Sequence, residues 1–106
     1  MTRLIVLIGP PYHLRAAEAE EWLRGEASGV AAVDGVRRAV LSALVSPSVR
    51  WGHNEWGWLI EIDCASPDDA DRVVRDGAWT ALIADLRLLG MRPTVAVVGD
   101  ASELRA

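Results

Sequence analysis

The chain contains no lysine, no glutamine and no phenylalanine, a single cysteine and a single asparagine. Without lysine, all 11 basic residues are arginine, a bias that suits GC-rich coding better than any arginine-specific recognition. The 15 acidic residues outnumber them, leaving a formal charge of −4. No broad positive field is available to attract phosphate backbones, so nucleic acid is not an expected partner. The lone Cys64 has no internal disulfide partner, and at the end of an apolar strand it reads as a small buried hydrophobe.

No apolar run approaches the length of a membrane span. The opening run, Leu4 to Ile8, meets Gly9-Pro10-Pro11 with no small-residue cleavage pattern, so it does not read as a signal peptide and the expectation is a cytoplasmic protein. Gly9-Pro10-Pro11 also lacks the glycines and amide donors of a phosphate-binding loop. With two histidines and one cysteine at non-ligand spacing, no metal site is expected, and no nucleophile elbow is present. His13 and His53 are the only imidazoles that haem could use, and no cofactor is expected.

What is there describes one domain, residues 1–106, with 51% hydrophobic and 25% charged residues. Arg3 to Gly9 suits a central strand buried on both faces. Tyr12 to Arg24 carries Tyr12, Ala16, Ala19 and Leu23 at helical spacing, with Glu18 and Glu21 toward water. Gly25 is placed to end that helix, leaving a loose connection to Gly35. Val36 to Val45 and Trp56 to Cys64 read as an antiparallel hairpin with a long loop. In the latter strand Trp56, Trp58, Ile60 and Ile62 share one face, and Leu59, Glu61 and Asp63 the other. Arg37 is the expected cross-strand partner of those acids.

Ser66-Pro67-Asp68-Asp69 combines an N-cap, a first-turn proline and acids at the positive end of the helix dipole. The following apolar stripe runs to Leu89, with Gly77 marking a kink or a break into two helices. Thr94 to Val98 supplies the last strand.

The resulting β-α-β-β-α-β order predicts a ferredoxin-like α+β plait, with both helical segments on one face of an antiparallel sheet in the order 4-1-3-2. The other face carries apolar residues, which points to a second copy of the chain as its cover. The order, the Ser66-Pro67-Asp68-Asp69-Ala70 start and the segment Ala78-Trp79-Thr80-Ala81-Leu82-Ile83-Ala84-Asp85 resemble the dimeric α/β-barrel superfamily. That resemblance implies two plaits packed sheet to sheet as a homodimer. It also implies kinship with small cofactor-independent monooxygenases and polyketide cyclases of antibiotic biosynthesis, although such a fold hosts several chemistries.

The same topology gathers Tyr12, His13, Arg50, Trp51, His53, Asn54, Met91 and Arg92 at one end, with Trp56 and Trp58 descending from it. A tryptophan-lined cleft with a few polar groups suits an aromatic or apolar small molecule, and Trp79 is either its opposite wall or plain core. His13, at the start of the first helix, is a candidate general base, since the dipole there favours the neutral imidazole. His53 is the second acid/base candidate, and Asn54 could orient it or stabilise an enolate. The expectation is an acid/base enzyme acting on an aromatic or polyketide-like substrate, by cyclisation with dehydration or by oxygenation with O2. The alternative is a non-catalytic homodimeric binding module.

Overall fold

A computed structural model describes residues 1–44, 56–100 and 102–104. Its elements are β1 (Thr2–Ile8), α1 (Ala16–Ala31), β2 (Val36–Ala43), β3 (Trp58–Cys64), α2 (Pro67–Arg75), α3 (Gly77–Leu88) and β4 (Thr94–Val98). They form a four-stranded antiparallel sheet in the order β2-β3-β1-β4, which is the expected plait.

Alternation along the central strands decides which side the helices cover. In β1, Leu4, Val6 and Ile8 are buried and pair across the sheet with Ile62, Ile60 and Trp58 of β3. These residues belong, with Leu23 and Val30 of α1, Val73 of α2 and Leu82 and Leu86 of α3, to one core among the described residues. Cys64 is fully buried in it, and that burial pushes its thiol pKa up.

The start of α2 follows its sequence signals. Ser66 accepts a hydrogen bond from the Asp69 amide at 3.2 Å, with Pro67 in the first turn. The break anticipated at Gly77 is real: Asp76 adopts extended backbone and caps α3 by accepting from the Ala78 amide at 2.9 Å. Two helices therefore replace one bent helix.

Three local expectations are corrected. The first helix begins at Ala16, not Tyr12, and runs through Gly25 to Ala31. Leu23 and Val30 bury the same stripe on either side of that glycine, and their burial outweighs the roughly 1 kcal/mol propensity cost of a helical glycine. The hairpin strands are also shorter than expected, β2 ending at Ala43 and β3 beginning at Trp58.

The third correction concerns the acids of β3. Arg3, not Arg37, is their partner: its Nε donates to Asp63 Oδ1 at 2.6 Å, and its Nη1 lies 3.2 Å from Glu61 Oε2. β1 is the direct neighbour of β3 and sets Arg3 opposite Asp63, while a bulge between Val36 and Arg38 brings Arg38, rather than Arg37, opposite that residue on the other side. The Arg3 guanidinium holds the Asp63 carboxyl below its ordinary value.

The sheet face away from the helices carries Ile5, Leu7, Leu59 and Val40, all only partly covered. The helix layer also stops short of β4. By register Val95 and Val97 share the face of Val6 and Leu4, yet they are 43% and 64% exposed.

Candidate functional site

The backbone ties together the end of the sheet that the topology singles out. Gly9 donates to the Met91 carbonyl at 2.6 Å, Gly57 to the Ile8 carbonyl at 2.7 Å and Leu44 to the Gly57 carbonyl at 2.8 Å. The β1–α1 connection, the hairpin strand ends and the α3–β4 connection therefore meet, as expected. Met91 is wholly buried there, and Arg92 takes a left-handed backbone with its guanidinium laid against Gly9.

At this end lies a cavity of about 340 Å³ between α1 and the sheet. Ala16, Ala17 and Glu20 of α1 form one side, Ala43 and Leu44 another, and Pro10, Gly57 and Trp58 complete the lining of what is, with Pro10, Ala16, Ala17 and Ala43 exposed, an open groove. A narrower groove of about 190 Å³ lies farther along α1 over β2, between Arg24, Ala27, Ser28 and Ala31 on one side and Ala39 and Leu41 on the other. Small residues on this face of α1 leave both spaces unfilled by the described residues.

Trp58 is the residue around which the cavity is built. It is only 5% exposed, so its indole N–H must be satisfied by the protein. Trp58 Nε1 donates to Glu20 Oε1 at 3.1 Å. The other carboxylate oxygen, Oε2, lies 3.8 Å from an Arg24 nitrogen, too long for a hydrogen bond.

Sequence reasoning missed Glu20, although a signal was there. With Ala16, Leu23 and Ala27 it falls on the inward stripe at helical spacing, unlike its neighbours Glu18 and Glu21.

The expected site residues divide. Trp58 lines the cavity and Trp56 is half-buried just before it. Trp79 is buried in the core on α3 and is not among the described residues lining this cavity. Tyr12 and His13 are neighbours at the right end, ring centroids 6.4 Å apart, but both are exposed and neither lines the cavity. His13 also precedes the helix cap, Arg15, and so lies outside the first turn, where the field of the helix dipole is concentrated. The Tyr12 ring lies over Gly90, which adopts φ +71°. Arg50, Trp51, His53 and Asn54 lie outside the described residues.

Among the described residues no group of three His, Cys, Asp or Glu side chains could hold a metal ion. No described helix is long and apolar enough to cross a membrane.

No family model matches the chain, and no curated protein matches it by sequence. Solved structures do match over nearly its whole length. A cofactor-independent oxygenase from Streptomyces nogalater, SnoaB, is 14% identical with a TM-score of 0.68, covering 99% of this chain and 97% of that one. A hydroxynitrile lyase from Passiflora edulis is 8% identical with a TM-score of 0.76, covering 98% and 96%. A dimeric ferredoxin-like protein from Thermobifida fusca is 12% identical with a TM-score of 0.71, covering 92% and 88%. At these identities the likeness establishes the ferredoxin-like fold, and an oxygenase and a lyase on that one fold show that it does not dictate a reaction.

Proposed function

We propose that the chain is a homodimeric, cofactor-independent enzyme that binds an aromatic or polyketide-like small molecule in the cavity beside Trp58 and acts on it by acid/base chemistry. The observation that carries this reading is the cavity itself, an apolar space against the edge of a tryptophan with one carboxylate on its wall. The oxygenase among the similar structures supports the choice of chemistry, and the dimeric ferredoxin-like protein supports the assembly. The partly covered Ile5, Leu7 and Leu59 give that assembly an apolar surface to bury.

In this reading His13 and His53 are the acid/base candidates and Asn54 the donor to a developing enolate. Tyr12, Trp51 and Trp56 contribute to substrate binding. Cyclisation with dehydration and oxygenation by O2 share a first step, removal of a proton to give a stabilised carbanion. Incubation with polyphenolic ketones bearing an acidic C–H, in the presence of a chelator, separates them by product mass and oxygen uptake. Turnover left intact by both His13→Ala and His53→Ala removes the histidines from the mechanism.

A second reading, a binding module that shelters an apolar metabolite, draws support from the position of His13 outside the cavity wall. It predicts ligand-dependent tryptophan quenching with every ligand recovered unchanged.

A further inference from the structure

We infer that Glu20 is a specificity-determining residue of the cavity, its Oε2 accepting a hydrogen bond from the hydroxyl of a flat phenolic or enolic ligand held beside Trp58. The inference rests on the cavity being a ligand site and names the chemical class that the site selects.

Among the described residues of the wall, Glu20 is the only ionisable one, the others being Ala, Pro, Leu, Gly and Trp58. The indole N–H is already committed to Oε1, and among the described residues Oε2 has an ion pair with Arg24 at 3.8 Å but no hydrogen bond. An ionised carboxylate is an acceptor and nothing else, so the donor must come from the ligand. The Glu20 side chain is 38% exposed, and water can solvate Oε2 while the cavity is empty. The ion pair with Arg24 is no hydrogen bond, so a ligand that displaces that water without offering an O–H leaves the oxygen's hydrogen bond unreplaced, whereas a hydroxyl restores it. The Trp58 bond meanwhile holds the carboxylate in place, lowering the ordering cost of binding.

A simple packing role for Glu20 would need only one acceptor for the indole, which a glutamine provides as well. That difference makes the assignment testable. In Glu20→Gln the amide oxygen can keep the Trp58 bond and the amide NH2 takes the place of Oε2, exchanging an acceptor for a donor. Binding of 2-naphthol and of its methyl ether, 2-methoxynaphthalene, is to be measured by calorimetry on the wild-type chain, on Glu20→Gln and on Ala17→Trp, which fills the cavity.

The wild type is expected to favour the naphthol roughly ten- to a hundredfold, the range for a hydrogen bond to a charged group. Glu20→Gln should erase or invert that preference, and Ala17→Trp should abolish binding of both probes. A preference absent from the wild type, or unchanged in Glu20→Gln, overturns the role of Glu20 while the cavity stands, provided Ala17→Trp still blocks binding. Failure of the wild type to bind either probe, or binding indifferent to Ala17→Trp, overturns the cavity reading and this inference with it. If Glu20→Gln does not fold, the naphthol-over-ether ratio of the wild type decides.

Discussion

Replacing Gly25 by alanine is expected to stabilise the protein, and the sign of the effect discriminates between two descriptions of the first helix. Gly25 lies inside α1, which runs from Ala16 to Ala31, and a Cβ added there meets no atom of the described residues within 4 Å. Its backbone is not left-handed. Alanine therefore gains helix propensity of about 0.8–1.0 kcal/mol without steric cost. For a domain of this size each kcal/mol moves the melting temperature by roughly 4–8 °C, so thermal unfolding followed by circular dichroism resolves the change. Were Gly25 the helix terminus in a left-handed conformation, the same substitution would lower the melting temperature. A fall, or no change, refutes the continuous helix and with it the placement of Arg24, Ala27 and Ala31 along the groove over β2.

Gly90 should respond in the opposite sense, since its φ of +71° disfavours any side chain and an added Cβ collides with the Tyr12 ring. Gly90→Ala is expected to cost about 1–2 kcal/mol, and adding Tyr12→Ala should recover the steric part, so that the double mutant is less destabilised than the sum. Strict additivity in unfolding experiments would remove the ring from Gly90. Because the Arg3 interaction lowers the Asp63 pKa below its ordinary 3.8, that carboxylate contributes stability above this pH and loses it as pH falls through the folded-state value. Asp63→Asn should therefore flatten the acid limb of the stability–pH curve, and an unchanged limb argues against the Arg3 pairing. Cys64, buried with its thiol pKa raised, should react with an aromatic disulfide reagent only on unfolding, so rapid labelling of the native protein would contradict its position.

Much of the fold was legible where the chain punctuates itself. Gly9-Pro10-Pro11 ends β1, Ser66-Pro67-Asp68-Asp69 starts α2, and the Asp76-Gly77 junction divides the last helical stretch, each through local chemistry that needs no tertiary context. Where neighbours distant in sequence decide, the reading failed. Gly25 has the composition of a stop signal, and only the shared burial of Leu23 and Val30 overrides it. The expected order 4-1-3-2 already set β1 beside β3, but the pairing of Glu61 and Asp63 with Arg3 rather than Arg37 depends on the register and on a bulge in β2, neither of which leaves a mark in the local sequence.

The candidate site shows the same division. The alternation of β3 put Trp58 on one face with Ile60 and Ile62, which the structure shows to be the helix side, and the topology correctly gathered the connections at one end. Glu20 was lost among three glutamates within four positions: helical spacing sets it on the stripe of Ala16, Leu23 and Ala27, but only the seating of Trp58 against α1 gives that position a partner. His13 drew attention by its residue type, yet the cavity wall is formed by the residues on either side of its loop, Pro10 before it and Ala16 after it.

The central claim, that the space between α1 and the sheet is a ligand site organised by Trp58, is tested most directly by following the tryptophan indole N–H resonances in a 15N–1H correlation spectrum during titration with 2-naphthol. The Trp58 indole proton, hydrogen-bonded to Glu20 at the cavity wall, should shift and saturate with ligand, while that of Trp79, buried in the core, stays in place. Saturable binding that leaves the Trp58 resonance unmoved would contradict the account.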